Sequence, residues 1–120
     1  RAAVPERTST FVLLTDGQRL LLERRPPVGL WGGLLVPPEG GLAEVAARFG
    51  LQLDETTPLP PLKHAFTHFR LTLKPVLCRV APGFQATEAV LEWVDISRAA
   101  DAGVPAPIKK LIRQVASAGG

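Results

Sequence analysis

Two nearly continuous apolar runs, at 11–14 and 19–22, lie close together near the start of the chain. Asp16 and Gly17 lie between them, and glycine tolerates the positive φ that a tight turn requires. The pattern predicts a β-hairpin. Because both runs are apolar at nearly every position, we expect both strands to lie in the interior of a sheet.

Two segments have helical periodicity. The first covers 42–49, and Gly50 suits a left-handed cap at its end. Its expected buried stripe is Leu42, Val45, Ala46 and Phe49. The second lies near the end of the chain, with Pro105 or Pro107 in its first turn. Its apolar positions are Ile108, Leu111, Ile112 and Val115. Its outer face carries Lys109, Lys110 and Arg113, which is typical of a solvated face.

The segment between these helices predicts extended structure. Residues 54–62 are rich in Pro and Thr and predict a loop. From Lys63 onwards we expect one long extended segment, because apolar and polar residues alternate from Phe69 to Lys74. Pro75 has no N–H for a sheet, so a bulge or an edge position is expected there. A further strand is predicted over 90–94, followed by a loop through Gly103.

The order strand, strand, helix, strand or strands, helix predicts an α+β fold, an α/β/α sandwich with a mixed β-sheet. A chain of 120 residues with 46% hydrophobic content buries one core, so we expect a single domain over 7–118. The chain contains no methionine. We therefore expect a piece of a longer protein, in which 1–6 is the remnant of an interdomain linker.

Composition narrows the class of protein. The net charge of +3 and a pI near 9.6 suit a polyanionic partner without requiring one. No apolar run approaches the roughly 20 residues that span a bilayer, so we expect no membrane segment. The single cysteine, Cys78, lies in an apolar run and is expected to be buried, and it allows no internal disulfide.

The segment 29–51 resembles the motif of Nudix pyrophosphohydrolases, G-x5-E-x7-R-E-U-x-E-E-x-G-U, where U is aliphatic. The positions that match are Gly33, Glu39, Val45, Gly50 and Leu51. The metal-binding middle is four residues short, and aligned back from Gly50 it has Ala43, Glu44, Ala47 and Arg48 at the arginine and the three glutamates. Magnesium prefers oxygen ligands, which alanine and arginine side chains do not supply. We expect no metal site and no hydrolase chemistry here. The alternative to a remnant of the hydrolase motif is that the glycines and prolines of this segment simply form a loop, which a core helix follows.

The segment 64–70, His-Ala-Phe-Thr-His-Phe-Arg, contains both histidines of the chain. In an extended segment His64 and His68 lie about 13 Å apart, too far to share a metal ion. One interpretation places Phe66 and Phe69 in the core with half-exposed histidines. The other takes the polar stripe at His68, Arg70, Thr72 and Lys74 as a surface for a base edge and phosphates. The pattern leaves both open.

Four segments together resemble the C-terminal domain of MutY-type adenine DNA glycosylases. They are 25–37 (Arg-Pro-Pro-Val-Gly-Leu-Trp-Gly-Gly-Leu-Leu-Val-Pro), 63–71 (Lys-His-Ala-Phe-Thr-His-Phe-Arg-Leu), Trp93 and 104–111. The resemblance implies a Nudix-like fold without hydrolase activity that recognises 8-oxoguanine opposite adenine in duplex DNA. Catalysis and an iron-sulfur cluster are implied for a separate N-terminal domain, so no catalytic residue and no cofactor are expected in this chain.

The resemblance also implies roles for individual residues. Thr67 is the candidate for contact with the oxidised base, and Phe66 is expected to brace the loop or wedge against the base stack. Phosphate contacts are expected from His64, His68 and Arg70. The implied protein is a monomer of the bacterial cytoplasm, associated with the nucleoid, whose partners are lesion-containing duplex DNA and its own N-terminal domain. Two alternatives stay open: a divergent Nudix hydrolase, and a protein-interaction module that docks a partner through 54–62.

Overall fold

The computed structural model describes residues 4–52 and 55–118. The strands are β1 (Glu6–Thr15), β2 (Arg19–Arg24), β3 (Leu35–Val36), β4 (Thr56–Pro58), β5 (Leu62–Ala65), β6 (Arg70–Arg79) and β7 (Leu91–Asp95). The helices are α1 (Leu42–Phe49), α2 (Ile96–Ala99) and α3 (Ala106–Ala118). The strands form one mixed sheet in the order β3-β2-β1-β6-β4, with β7 paired to β2 and β5 paired to β6. Only β1 and β6 run parallel among the strand pairs of the described residues.

The predicted hairpin is confirmed: β1 and β2 are antiparallel neighbours inside the sheet. Gly17 has φ +98° in the connecting turn. The Asp16 carboxylate accepts hydrogen bonds from the amides of Gln18 at 2.9 Å and Arg19 at 2.7 Å. Partial burial raises the pKa of Asp16, but hydrogen bonds from Arg19 and Gln18 outweigh it and lower this pKa to about 2. The turn therefore carries an ionised, amide-bound carboxylate at neutral pH.

Alternating residues of β1 belong to different cores, which explains why its sequence is continuously apolar. Phe11 and Leu13 pack in a cluster with the buried residues of α3. Val12 and Leu14 pack in a second cluster with Val45 of α1. The two helices therefore cover opposite faces of the sheet, as expected for a single-domain α/β/α sandwich.

Both predicted helices are confirmed. The amide of Gly50, at φ +65°, donates to the Ala46 carbonyl and ends α1 in the left-handed conformation. Val45 and Ala46 of its predicted stripe are buried, and Leu42 and Phe49 are half-buried. All four predicted apolar positions of α3 are buried, together with Pro107.

The prediction of one long extended segment from Lys63 is wrong. The chain forms a hairpin instead: β5 and β6 are antiparallel, and a turn at 66–69 connects them. The turn contains no Gly or Pro to mark it in the sequence. Within β6, Arg70, Thr72 and Lys74 do alternate with buried neighbours as predicted.

Several short elements were also missed. The predicted loop 54–62 contains β4 and the first residue of β5, while its residue 54 lies outside the described residues. The predicted loop to Gly103 contains α2, and the Asp95 side chain caps this helix by accepting from the Ser97 amide. Pro75 lies inside β6 rather than at an edge of the sheet. On the side of β6 that pairs with β5 and β4, it falls between the residues paired with β5 and those paired with β4. Neither β4 nor β5 therefore requires an N–H from Pro75.

Two predictions from composition, on Cys78 and on membrane segments, can be compared with the structure. Cys78 is fully buried, in the same cluster as Val45. No helix in 4–52 or 55–118 has the length and hydropathy needed to cross a membrane.

The predicted linker 1–6 is described only in part. Residues 1–3 lie outside the described residues, Val4 and Pro5 are exposed, and Glu6 begins β1.

Candidate functional site

The turn between β5 and β6 is shaped by two stacked phenylalanines. The Phe66 amide donates to the Phe69 carbonyl at 2.8 Å. The two rings lie with their centroids 4.6 Å apart and an interplanar angle of 21°. Thr67 and His68 stand at the exposed tip between them. Within the described residues, the Thr67 hydroxyl makes no hydrogen bond, so it is available to a ligand.

A continuous row of rings connects this turn to the body of the sheet. Trp31 lies 6.2 Å from the buried Phe11 and 6.0 Å from Phe66, measured between ring centroids. We call Phe11, Trp31, Phe66 and Phe69 the aromatic column. The Arg7 guanidinium closes its outer end, 4.4 Å from the centre of the Phe69 ring. The turn is thus fixed by side chains from distant parts of the chain.

Trp31 reaches the column from a loop whose backbone depends on glycine. Trp31 itself has φ +56°, a left-handed conformation that costs a non-glycine residue about 1–2 kcal/mol. A Cβ on Gly32 would come within 2.6 Å of the Pro27 carbonyl oxygen. The Gly33 amide donates to the Pro26 carbonyl at 3.1 Å. The close approach at Gly32 and the φ of +76° at Gly33 therefore require glycine at these two positions, whereas Trp31 occupies a backbone conformation that is unfavourable for it.

The surviving glutamate of the hydrolase-like motif anchors this loop. Arg25 Nη1 lies 2.8 Å from one Glu39 oxygen, and the Ser9 hydroxyl donates to the other at 2.7 Å. Arg25 Nε also donates to the Leu30 carbonyl at 3.3 Å. Both carboxylate oxygens of Glu39 are therefore engaged in holding the loop that carries Trp31.

Arg48 of α1 lies at the centre of a network of ion pairs with Glu23 and Glu88. Its Nη atoms contact both Glu23 carboxylate oxygens at 3.0 Å, and its Nε and Nη2 contact Glu88 at 3.1 and 2.8 Å. The hydrogen bonds that Arg48 donates to the carboxylates of Glu88 and then Glu23 raise the pKa of Arg48, and its guanidinium lowers the pKa of Glu88. The network joins α1 to β2 and to the segment before β7.

A family model described as NUDIX domain matches residues 9–114. This chain belongs to the NUDIX family. The C-terminal domain of mouse MUTYH, solved in complex with human PCNA, has a TM-score of 0.75 at 20% identity, with 92% of this chain and 88% of that chain covered. The NUDIX domain of Shewanella oneidensis NrtR complexed with ADP ribose has a TM-score of 0.71 at 13% identity, covering 94% and 88%. The C. elegans Ap4A hydrolase has a TM-score of 0.69 at 14% identity, covering 94% and 98%. At these identities the likeness concerns the fold.

The metal-binding positions of a NUDIX hydrolase do not fit a divalent cation in this chain. Glu39 is engaged by Arg25 and Ser9, and Glu44 accepts the Gly41 amide at 3.3 Å at the start of α1. Ala47 offers no ligand, and Arg48 places a cation where a carboxylate would be needed. In 4–52 and 55–118, no group of three or more His, Cys, Asp or Glu side chains is arranged to hold a metal ion.

The structure brings only some of the predicted site residues together. Phe66, Thr67 and His68 share the turn, but His68 is not part of a strand stripe. His64 pairs with Leu71 and packs edge-on against Phe66, with ring centroids 4.7 Å apart. Arg70 pairs with Ala65, on the other face of the hairpin. His64 and Arg70 therefore point to opposite faces of the hairpin, because side chains alternate along a strand, and their phosphate contacts stay a prediction.

Trp31 and Arg7 contact the rings that support the turn, and the sequence pattern predicted no role for either residue. Trp31 lies in the segment 25–37, and the resemblance of that segment is the signal that could have singled it out. Its contact with Phe66 is visible only in the structure. Arg7 carried no signal of its own. On α3, Lys110 and Arg113 are exposed as predicted, while Lys109 lies 4.0 Å from Asp101.

Proposed function

We propose that this NUDIX domain is the lesion-recognition domain of an adenine DNA glycosylase. It detects 8-oxoguanine opposite adenine in duplex DNA, and it carries out no chemistry of its own. Adenine removal belongs to an N-terminal domain of the parent protein, which carries the iron-sulfur cluster. The observation that carries the proposal is the aromatic column, because it joins the two segments of the MutY-like resemblance, 25–37 and 63–71, into one rigid support for an exposed tip.

The chemistry of the tip suits an oxidised guanine. Guanine presents N7 and O6 as acceptors in the major groove. Oxidation at C8 places a proton on N7 and a carbonyl beside it. The exposed Thr67 hydroxyl accepts from that N7–H, and backbone amides of the turn donate to the new carbonyl. Normal guanine offers neither group, so the contact discriminates between the two bases.

Phe66 acts as a brace in this proposal. Its ring already contacts Trp31, Phe69 and His64. A side chain held on three sides keeps the turn in shape and is a poor candidate for a mobile wedge. The exposed His68 contributes phosphate contact at the tip, and His64 supports Phe66 from behind.

The engaged carboxylates favour recognition over hydrolysis. Glu39 and Glu44 each have structural partners, and Arg48 places a positive charge at a position where the hydrolase motif has a glutamate. A protein-interaction role has one supporting observation, the complex of the MUTYH C-terminal domain with PCNA. Salt dependence separates the two kinds of binding, because phosphate contacts release counterions and peptide contacts need not.

Thr67→Ala tests the base contact directly. In the full-length parent protein, we expect the preference for 8-oxoguanine:adenine over guanine:adenine duplexes to fall roughly 5- to 150-fold, which corresponds to about 1–3 kcal/mol for one good base contact. Single-turnover adenine release from the two duplexes measures it. Thr67→Ser is the matched control and should keep the preference, because it keeps the hydroxyl. An equal loss on both duplexes in the alanine variant would count against a role in lesion discrimination.

A further inference from the structure

Among the helices of the described residues, none covers the half of one sheet face that lies next to the turn. In the register of β1, β6 and β5, residues that lie side by side share a face. Thr8 aligns with Thr72 and Lys63, Arg70 aligns with Ala65, and Thr10 aligns with Lys74. We call this set the open sheet face: Thr8, Thr10, Lys63, Arg70, Thr72 and Lys74.

The same face is apolar and covered further along the strands. There Val12, Leu14 and Cys78 are buried in the cluster that includes Val45 of α1. Before that point, Lys63, Arg70 and Lys74 are exposed. The change from apolar to polar residues occurs within single strands, so this half of the face is suited to a polar partner.

The charge of the open sheet face is also unbalanced. Lys63, Arg70 and Lys74 are positive, and Glu6, aligned with Arg70, is the carboxylate that the strand register places beside them. None of these three cations forms an ion pair within the part of the chain that the structure describes. Elsewhere on the protein carboxylates pair with Arg19, Arg24, Arg25 and Arg48, while Arg79, Lys110 and Arg113 also have no ion pair within the described residues. Of the Lys and Arg residues of β5 and β6, all except Arg79 lie on this surface.

We propose that the open sheet face binds the sugar-phosphate backbone of duplex DNA beside the lesion, an inference that rests on the proposed function for its ligand. Arg70 directly follows the recognition turn, so the surface is continuous with the tip. Arg70 and Lys74 are about 13 Å apart along β6. One DNA strand carries a phosphate per roughly 3.4 Å of helix axis, so the surface follows several phosphates. The three threonine hydroxyls add donors to phosphate oxygens.

The test is a salt titration of the full-length parent protein. The variant is Lys63→Gln combined with Lys74→Gln. The control removes the same charge from α3, by Lys110→Gln combined with Arg113→Gln. Dissociation constants are measured for 8-oxoguanine:adenine and guanine:adenine duplexes over a range of KCl concentrations. We expect the slope of log K against log salt to become shallower by about 2, with similar losses of affinity on both duplexes. The control should keep the wild-type slope.

An unchanged slope in the Lys63/Lys74 variant would overturn the inference, and binding of an acidic protein would then be the better explanation of this surface. Lys74→Gln alone, with an expected change of about 1 in slope, serves if the double variant does not fold. The outcome is separable from that of the proposed function. If Thr67→Ala leaves lesion preference intact while the Lys63/Lys74 slope falls, lesion recognition by the tip fails and the phosphate surface stands. If Thr67→Ala removes the preference while the slope stays, only the surface fails.

Discussion

Replacing Trp31 with alanine is expected to remove most of the discrimination between 8-oxoguanine and guanine and to lower the free energy of unfolding by about 2–3 kcal/mol. Fully buried Trp-to-Ala changes cost about 3–5 kcal/mol, and Trp31 is half-buried, so a smaller value applies. Alanine cannot bridge Phe11 and Phe66, which Trp31 contacts on either side. The turn then loses its support, and the Thr67 hydroxyl loses its fixed position.

Two measurements separate the local role of Trp31 from general destabilisation. Denaturant unfolding of this chain, which has its own core, gives the stability change. Adenine release by the parent protein at a temperature well below the transition gives the lesion preference. Trp31→Phe should retain much of both, because it keeps a ring in the column. A loss of stability with unchanged lesion preference would show that the column supports only the fold.

Replacing Arg48 with glutamate is expected to have the second largest effect. Arg48 and Glu23 are a bidentate pair in which both side chains are mostly buried, 29% and 25% exposed. Removing one partner of a fully buried pair costs about 3–5 kcal/mol, and solvent screening here reduces this to about 2 kcal/mol. The new carboxylate also faces Glu23 and Glu88. We expect millimolar Mg²⁺ to restore part of the stability, because three carboxylates then face one another.

Thermal unfolding with and without Mg²⁺ measures this effect, and Arg48→Gln is the control that should not respond to the ion. The pH dependence has a defined sign. Arg48 lowers the pKa of Glu88, so the stability from this contact is present above the ordinary glutamate pKa and is lost as pH falls through the lowered value. The advantage of wild type over Arg48→Gln should therefore shrink in acid. Equal stability of wild type and Arg48→Glu at neutral pH would contradict the role of the network.

The fold was predictable where the sequence signal was local. The 11–22 hairpin has its turn residues between its strands, and α1 and α3 have apolar positions at helical spacing. Strands of two or three residues, β3 and β4, are too short for a period. The β5–β6 turn has no Gly or Pro, and it is held by Phe66, Phe69 and the distant Trp31 instead. A turn held by tertiary contacts gives no local signal.

The residues of the candidate site could be named from the sequence, but their arrangement could not. The segment 64–70 stays a predicted site, and only the strand pairing shows that His64 and Arg70 lie on opposite faces of the hairpin. The Arg48 network was out of reach for a similar reason. Glu23 and Glu88 lie 25 and 40 residues from Arg48 in the sequence, and only the packing of α1 brings them together.

Lesion recognition by the turn can be measured by an NMR titration of the isotope-labelled chain with a duplex that contains one 8-oxoguanine:adenine pair. A matched guanine:adenine duplex and an 8-oxoguanine nucleotide with Mg²⁺ are titrated in parallel. We expect amide shifts centred on 66–69 that are larger for the lesion duplex, and no hydrolysis of the nucleotide. Shifts centred on Glu39 and Glu44 with the nucleotide and Mg²⁺, together with hydrolysis of the nucleotide, would instead show a NUDIX hydrolase.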